Sequence, residues 1–377
     1  METIGIICEY NPFHNGHVYH INKIKEMYPD SIIILCVNGY FGERGDVSIL
    51  SKEDKTKLAL NNGVNIVVEL PFVFASNSAD TFAEASVKIL NYMKVDKIIF
   101  GSESNNINKL TLIAKKQLEE DFSLKIKEEI KKGINYPTAL NKGIGVNLNS
   151  PNDLLGVSYI KAIIKNNFNI EPITIKRTND YLDTISEDNI VSASNIREKI
   201  KNNIDVKKYI NYDPIFNKIN EELLFKLIKY KIITDKDLSR YLTVDEGIEY
   251  KLIKEINNCK TIDELINKVK SKRYTYNRIR RMLIHILIGL TKVDRNICDI
   301  LYVKVLGFDN IGQHYLKNIK SNILISSKIP DTFLTRKYEL ISSKIYDLIC
   351  ETNTYKFELS NKPIRMEDKD AWRNTKL

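Results

Sequence analysis

Residues 4–20 read IGIICEYNPFHNGHVYH, an apolar run followed by a polar loop that carries three of the five histidines. The run is continuously apolar instead of alternating, which predicts a strand over 4–10 that is buried on both faces. A short loop with Pro12 and Gly16 follows, and helical periodicity then continues over 18–28. A strand, a short loop and a helix in this order predict the first part of a βαβ unit.

The same alternation recurs through the first half of the chain. Because strands that alternate with helices at this spacing need crossover connections, the sequence predicts an α/β fold with a Rossmann-like, doubly wound parallel sheet. The further predicted strands are 31–39, 65–71, 96–103 and 171–177, and the further helices are 51–63, 78–93 and 192–200.

The second half has mainly helical periodicity. A strand-like run at 301–308 predicts a small α/β appendage there. We therefore predict an α/β domain over 1–205 and a mainly helical domain over 206–377.

The net charge of +9 is unevenly distributed. Residues 1–200 contain 23 Lys and Arg against 25 Asp and Glu, whereas residues 201–377 contain 34 against 23. This asymmetry favours a polyanionic partner, such as RNA, for the second half. The alternative is a lysine-rich composition that leaves merely solvated surfaces.

The five cysteines are far apart and form no CxxC pair, which argues against a disulfide framework and a structural zinc site. No apolar run reaches the roughly 18 residues that span a bilayer. We therefore expect a reduced, cytoplasmic protein with no membrane partner.

The histidines are placed where an α/β sheet binds ligands, because ligands lie at the carboxyl ends of parallel strands. The N-terminus of the following helix favours phosphate. His14 and His17, three residues apart, can both donate hydrogen bonds to a nucleotide phosphate. Zinc binding by His14, His17 and His20 is the alternative. We disfavour it because His14 precedes the helix and no Cys or acidic residue has a ligand spacing, and we expect His20 to be a satisfied core or edge histidine.

A second motif, SASNIR over 192–197, follows the fifth predicted strand. Ser192 and Ser194 can cap the next helix or donate to phosphate, and Arg197 can pair with a leaving pyrophosphate. The alternative is an ordinary serine cap followed by a surface arginine.

These motifs resemble those of known enzymes. His14-Asn15-Gly16-His17 resembles the HxGH signature of the nucleotidyltransferase superfamily, and SASNIR resembles its late phosphate-binding motif. The wider stretches resemble the bacterial tRNA(Met) cytidine acetate ligase family, from residue 2 to about 200 and again over 271–290. They include EYNPFHNGHVYH, NGYFGERGD, VVELPFVFASNSADTFAEASVKIL, FGSES, NDLLGVSYIKA and SKRYTYNRIRRMLIHILIGL.

The resemblance implies an ATP-dependent ligase. Such an enzyme converts acetate and ATP to acetyl-adenylate and then acetylates N4 of the wobble cytidine in elongator tRNA(Met). It implies ATP as a substrate, with Mg²⁺, and catalytic roles for His14, His17, Ser194 and Arg197. It places the nucleotide against Ile7, Cys8, Glu9, Tyr10, Asn11, Pro12, Phe13, His14, Asn15, Gly16, His17, Val18, Tyr19, His20, Gly101, Asn152 and Arg177.

The basic segment over 268–281 is the expected RNA contact, because basic residues neutralise phosphates and tyrosines stack on unpaired bases. A solvated helix face is the alternative. The residues predicted to bind RNA are Lys272, Arg273, Tyr274, Tyr276, Arg278, Arg280 and Arg281.

One loop departs from the family pattern. Relatives read more like SGNFxQRGxPA, whereas this chain reads NGYFGERGDVS over 38–48 and differs at Asn38, Tyr40, Glu43 and Asp46. If this loop shapes the acetate pocket or the cytidine entry, rate or selectivity differs from that of relatives.

Two other functions fit part of the sequence. A nucleotidyltransferase that makes a small cofactor fits both phosphate motifs but not the basic second half. A non-catalytic RNA-binding protein fits the charge but not the intact phosphate motifs.

Overall fold

The computed structural model describes residues 1–132, 134, 136–144, 150–177 and 189–366. Its strands are β1 (Thr3–Cys8), β2 (Ile32–Asn38), β3 (Ile66–Leu70), β4 (Lys97–Ser102), β5 (Glu171–Lys176), β6 (Tyr302–Phe308), β7 (Leu324–Ser326) and β8 (Ile364–Arg365).

The described helices accompany the strands and dominate after β5. No helix among them is long and apolar enough to cross a membrane. They are α1 (Asn15–Met27), α2 (Lys52–Asn61), α3 (Phe72–Ala75), α4 (Ala79–Tyr92), α5 (Ile107–Leu118), α6 (Glu120–Lys131), α7 (Tyr136–Ile144), α8 (Pro151–Lys165), α9 (Ala193–Lys201), α10 (Glu221–Thr234), α11 (Ile248–Ile256), α12 (Ile262–Val269), α13 (Tyr276–Ile288), α14 (Lys292–Ile297), α15 (Asn310–Asn318), α16 (Leu334–Cys350) and α17 (Tyr355–Ser360), with short 3₁₀ turns at Lys207–Tyr209 and Leu238–Arg240.

The strands form one sheet in the order β5-β4-β1-β2-β3-β6-β7, and β8 pairs with β6. Strands β1 to β5 are all parallel, as predicted. The order runs from β1 through β2 to β3 on one side and through β4 to β5 on the other. A topological switch point therefore lies between β1 and β4, where such sheets bind ligands.

Both faces of the sheet are covered. In β2, Ile32, Ile34 and Cys36 belong to one buried cluster, which also contains residues of α4 and α8. The intervening Ile33, Leu35 and Val37 belong to a second cluster, which contains residues of α1 and α2. Because successive strand residues point to opposite faces, this division explains why the strands are continuously apolar. The fold class predicted from the sequence is confirmed.

The second half of the chain contributes to the same sheet. Strand β6 pairs antiparallel with β3, with Ile66 opposite Phe308. The expectation of a separate α/β appendage around 301–308 is therefore wrong. The strand run was identified, but its partner lies more than 230 residues earlier in the chain, and local sequence patterns do not reveal such long-range pairing.

Buried charges connect the two halves beneath β3. Lys52 of α2 is fully buried, and its ammonium contacts Glu69 at 2.5 Å, Glu339 at 2.9 Å and Glu358. Glu358 also pairs with Lys304 of β6 at 2.5 Å and with Arg336 of α16 at 2.6 Å. Three cations thus balance three carboxylates inside the protein.

This balance decides the charge state of Lys52. Burial alone would lower the pKa of its ammonium, but the three carboxylates raise that pKa well above its usual value. The three glutamates lie close enough together to hold a metal ion, and Lys52, Lys304 and Arg336 together already neutralise that cluster. Removing one partner from a buried group of ions strongly destabilises the folded protein, because the remaining charges stay buried without compensation.

We expect Lys52→Met to lower the free energy of unfolding by about 3–5 kcal/mol, the usual loss for breaking a buried pair. Lys57→Met on the same helix is the matched control, since Lys57 is half exposed and pairs only with Glu53 on the surface. Urea unfolding at pH 7 measures both. A loss below about 1 kcal/mol for Lys52→Met would contradict this account.

Candidate active site

A cavity of about 260 Å³ lies at the carboxyl ends of β1, β4 and β5, at the predicted switch point. All the residues that line it lie between Ile7 and Arg197. Those that the sequence predicted are Ile7, Cys8, Glu9, Tyr10, Asn11, His14, Gly16, His17, Tyr19, His20, Gly101, Asn152, Arg177, Ser194 and Arg197.

His14 and His17 cap helix α1 reciprocally. His14 is the N-cap residue, and its Nδ1 accepts a hydrogen bond from the N–H of Gly16 at 3.0 Å. The Nδ1 of His17 accepts from the N–H of His14 at 3.2 Å. The two rings lie 3.9 Å apart between centroids. This is the geometry of a capping box, with histidines in place of Ser and Glu.

Both histidines are neutral in this site. Burial, assisted by the nearby Arg177, lowers the pKa of His14 to about 3. Burial and the neighbouring His14, His20 and Arg177 lower the pKa of His17 well below its usual value. A neutral imidazole whose Nδ1 accepts a hydrogen bond carries its proton on Nε2. Each ring therefore has one remaining donor, and both residues line the cavity.

We expected His20 to be a satisfied core or edge histidine, and it is satisfied only in part, through a hydrogen bond with the backbone of Ile99. It lines the cavity, and its Nε2 is buried with no hydrogen-bond partner among the described residues. Burial and Arg177 lower its pKa to about 4. Its unpaired nitrogen is therefore available to a ligand.

The N-terminus of α9 forms the opposite wall. Ser192 caps the helix by accepting from the N–H of Asn195 at 3.3 Å, and its hydroxyl lies 3.1 Å from that of Ser194. Arg197 donates to the carbonyl of Asn11 at 2.6 Å and pairs with Asp46 at 3.2 Å. The second motif thus brings hydroxyls, a helix N-terminus and a guanidinium to the cavity, a set suited to phosphates.

The third wall comes from β4, α8 and the end of β5. Asn152 donates from its amide to Glu103 at 2.6 Å, so a carboxylate fixes its orientation. Arg177 lies beside Gly101, and a Cβ at Gly101 would be 3.4 Å from the Cγ of Arg177. The Nε of Arg177 is buried without a hydrogen-bond partner in the described structure. Sequence reasoning missed Glu103, although FGSES, which contains it, was among the matching stretches.

Four residues of the predicted nucleotide loop, Pro12, Phe13, Asn15 and Val18, do not line the cavity. Pro12 and Phe13 are buried, Phe13 completely. Asn15 donates to the carbonyls of Asn189 and Lys208, which ties α1 to the chain around α9. Val18 packs against the core. The cavity residues beyond those predicted to bind ATP are Glu43, Arg44, Asp46, Phe82, Phe100, Pro151, Leu155, Tyr159, Ile175, Lys176, Ile190, Val191, Ser192 and Ala193.

The departing loop after β2 reaches the cavity. Glu9 accepts hydrogen bonds from the N–H of Glu43 at 2.6 Å and from the amide of Asn38 at 3.3 Å. Burial raises the pKa of Glu43 to about 7, although Arg281 opposes the shift from 3.0 Å away. Glu43 and Asp46, two of the positions at which this loop was expected to depart from the family pattern, therefore line the cavity.

The cavity thiol is inert. Cys8 lines the cavity, and burial, with a smaller contribution from Glu9, raises its pKa to about 12. Because the thiolate is the reactive form, Cys8 does not supply a nucleophile at neutral pH.

The segment predicted to bind RNA contains both buried and exposed residues. Tyr274 is buried, its hydroxyl donates to the carbonyl of Asp245 at 2.5 Å, and the guanidinium of Arg278 covers its ring at 4.2 Å. Tyr274 therefore packs in the protein and does not offer a free face to a base. Lys272 is exposed, and Arg273 forms a surface pair with Glu246.

The remaining residues of that segment lie on α13. Tyr276 donates to Asp263. Arg280 pairs with Asp46 at 3.1 Å, and Arg281 pairs with Glu43 at 3.0 Å. These two arginines therefore contact the loop after β2 rather than pointing into open solvent.

The fold and the cavity define a class of protein. A family model described as HIGH Nucleotidyl Transferase matches residues 1–361, a range that includes the two histidines at the start of α1 and the residues of α9 that line the cavity.

The relatives are more specific. The chain is 36% identical to the tRNA(Met) cytidine acetate ligase of Clostridium novyi (strain NT), over 97% of this chain and 100% of that protein. It is 38% identical to the Staphylococcus aureus (strain MRSA252) protein of the same name, over 85% of this chain and 87% of that protein. The chain belongs to the tRNA(Met) cytidine acetate ligase family, and the resemblance seen in its motifs is confirmed.

Solved structures agree with this family. Thermotoga maritima TmcAL without ligand matches with a TM-score of 0.87 at 26% identity, over 97% of this chain and 100% of that one. The form of that protein bound with α-thio ATP matches with a TM-score of 0.85 at 25% identity and the same coverage.

The neutral state of His14 predicts a pH effect on stability. The folded protein holds its pKa at about 3, so the unfolded chain binds the extra proton between about pH 6.5 and 3, and stability falls as the pH falls through that window. His14→Asn keeps an N-cap side chain. Between pH 7 and pH 5, we expect its free energy of unfolding to fall by about 2 kcal/mol less than that of the wild type.

Urea unfolding at the two pH values measures this difference. His314→Asn is the control, because His314 is exposed on α15. Equal pH dependence in the wild type and His14→Asn would show that His14 is not held neutral.

Proposed function

We propose that this protein is an ATP-dependent acetate ligase that acetylates N4 of the wobble cytidine in elongator tRNA(Met). The observation that carries the proposal is the pair of neutral histidines at the start of α1, which faces the phosphate-binding set of α9 across one cavity. The names of the relatives supply the acceptor and the acyl group, and the α-thio ATP in the Thermotoga maritima protein supports a nucleotide in this cavity.

The first step joins acetate to the α-phosphate of ATP. An acetate oxygen attacks the α-phosphorus, the bond to the bridging oxygen breaks, and pyrophosphate leaves. Nε2–H groups of His14 and His17 and the N-terminus of α1 stabilise the charge that develops on the α-phosphate. Ser194 and Arg197 hold the leaving pyrophosphate.

The second step transfers the acetyl group. The N4 amine attacks the acetyl carbonyl, the bond from that carbon to the adenylate oxygen breaks, AMP leaves, and N4 loses a proton. The amine lone pair is conjugated with the cytosine ring, so the mixed anhydride provides the activation. Because burial raises the pKa of the Cys8 thiol to about 12, a thioester intermediate on this residue is disfavoured.

The residues of the cavity fit a Mg²⁺ ion carried mainly by the nucleotide. Mg²⁺ is usually held by one or two carboxylates together with substrate phosphates and water. Glu43 and Asp46 are paired with arginines, whereas Glu9 forms no ion pair within the described part of the chain. We propose Glu9 as the protein carboxylate that would hold this ion. The bound ion would neutralise part of the negative charge on the triphosphate.

We propose a division of labour along the chain. Residues 1–205 bind ATP and acetate, which is supported by a cavity lined only from Ile7 to Arg197. Residues 206–377 bind the tRNA, which is supported by their positive balance and by the basic segment at 272–281. A tRNA substrate and five free cysteines fit the cytoplasm.

The direct test is incubation of the purified protein with ATP, radiolabelled acetate and total bacterial tRNA, followed by nucleoside analysis. We expect label in N4-acetylcytidine, and we expect its loss when ATP is omitted. ATP turnover with acetate but with no label in RNA would instead favour a nucleotidyltransferase that acts on a small cofactor precursor.

His14→Asn should lower acetate-dependent exchange of pyrophosphate into ATP by about 10²–10³-fold, since it removes one donor to the developing charge. Asparagine is a good N-cap, so the melting temperature should stay close to that of the wild type. His314→Asn is the matched control. Exchange at the wild-type rate in a folded His14→Asn protein would remove His14 from the catalytic step.

The double variant Lys272→Glu, Arg273→Glu should weaken tRNA binding because phosphate contacts are lost. The slope of log Kd against the logarithm of the salt concentration should fall by about 1–2. Pyrophosphate exchange, which needs no RNA, should be unchanged. Lys165→Glu is the control charge reversal, on an exposed position of α8. An unaltered tRNA affinity and salt slope would exclude these two residues from the RNA contact.

A further inference from the structure

One carboxylate contacts an arginine from each of the two proposed substrate sites. Asp46 lies 3.2 Å from Arg197 through Oδ2 and 3.1 Å from Arg280 through Oδ1. Arg197 lines the cavity and is the proposed pyrophosphate ligand, whereas Arg280 lies on α13 beside the proposed RNA contact. The three side chains are between one-fifth and about one-quarter exposed, so water screens their interaction only partly.

The loop that carries Asp46 is fixed against α13. Gly45 has a φ of +78°, and a Cβ there would lie 2.8 Å from the backbone N of Arg281 and 2.9 Å from the carbonyl carbon of Arg280. The pair between Glu43 and Arg281 closes the same contact on the other side of the turn. Asp46 is therefore held within reach of both arginines.

Other charged groups face this site as well. Glu221 at the start of α10 raises the pKa of Arg280 together with Asp46, although burial opposes the shift. Burial raises the pKa of the Glu221 carboxyl. Lys201 opposes this shift, and Asp263 adds to it. Neither Glu221 nor Asp263 lines the cavity, so Asp46 is the acidic residue of this group that shares a wall with the proposed pyrophosphate site.

We propose that Asp46 is a positioning residue that couples the nucleotide site to the RNA site by exchanging its stronger contact between Arg197 and Arg280. The inference rests on the proposed function, which assigns pyrophosphate to Arg197 and RNA to the basic segment that contains Arg280. When the triphosphate occupies Arg197, Asp46 pairs mainly with Arg280 and competes with an RNA phosphate there. When pyrophosphate has left, Asp46 pairs mainly with Arg197, and Arg280 becomes available to RNA.

The exchange gives the reaction an order. Before adenylate formation, bound ATP weakens tRNA binding, and by linkage bound tRNA weakens ATP binding by the same factor. After adenylate formation and loss of pyrophosphate, tRNA binds more tightly. The charged adenylate is thus completed before its acceptor is held firmly.

The test measures the Kd of elongator tRNA(Met) by fluorescence anisotropy at fixed salt, without nucleotide, with α,β-methylene ATP and with AMP. AMP contains the adenosine and the α-phosphate but lacks the two phosphates that Arg197 would bind. We expect the triphosphate analogue to weaken tRNA binding about fivefold or more, the lower end of usual allosteric coupling. We expect AMP to change the Kd less than twofold.

The same series in Asp46→Asn assigns the effect. We expect the weakening to fall below twofold in that variant and to return in Asp46→Glu, which restores the carboxylate. Asp299→Asn is the control, because Asp299 pairs with Lys88 on another surface. Direct repulsion between the two sets of phosphates would survive in Asp46→Asn, and that result would overturn the proposal.

The failure of the proposed function gives a different result. If wild-type protein binds tRNA and the triphosphate analogue independently, only the coupling through Asp46 is overturned. If wild-type protein binds no tRNA at all under any of the three conditions, the proposed function fails and the coupling fails with it.

Discussion

Helix α2 places two lysines where water cannot reach them, and much of the structure is arranged around their charges. Lys52 needs carboxylates from β3, α16 and α17, so the last helices of the chain must return to the sheet formed by its first residues. Lys55 donates to the side chain of Asn38 and to the carbonyls of Asn38 and Gly39. Burial lowers its pKa to about 7, since neutral oxygens compensate a buried charge less well than carboxylates do. Together these lysines fix the beginning of the loop that continues to the cavity.

That loop connects the cavity wall to the second half of the chain. It begins at the buried lysines, contributes Glu43 and Asp46 to the cavity wall, and ends against α13. Gly45 is the position where α13 leaves no room for a side chain. The acidic residues Glu43 and Asp46 are paired with Arg281 and Arg280 of the second half, so this loop joins the cavity wall to α13.

Much of this structure could be predicted from local sequence, and the limits have physical causes. Strands β1 to β5 were predicted to within two residues because a sheet covered on both faces requires continuous apolar runs. The cavity followed from the histidine motif and its position after β1. In contrast, Lys52 and Lys55 lie in a polar helix, KEDKTK, whose sequence predicts exposure to solvent. The burial of Lys52 depends on carboxylates as far as 306 residues away, and that of Lys55 depends on oxygens of Asn38 and Gly39. For the same reason Arg280 and Arg281 looked like free RNA ligands, although sequence-distant acids contact both. The roles of the individual site residues remain predictions.

The antiparallel pairing of β6 with β3 has a consequence for how the chain is made. When the ribosome has synthesised the first 205 residues, β3 is an unpaired sheet edge, and Glu69 and Lys52 lack Glu339 and Glu358. Exposed strand edges and incompletely compensated buried charges favour association with other chains. The nascent protein therefore cannot complete its sheet during most of its translation. It reaches its native state only after nearly the whole chain has emerged, which gives chaperones a long period in which to act.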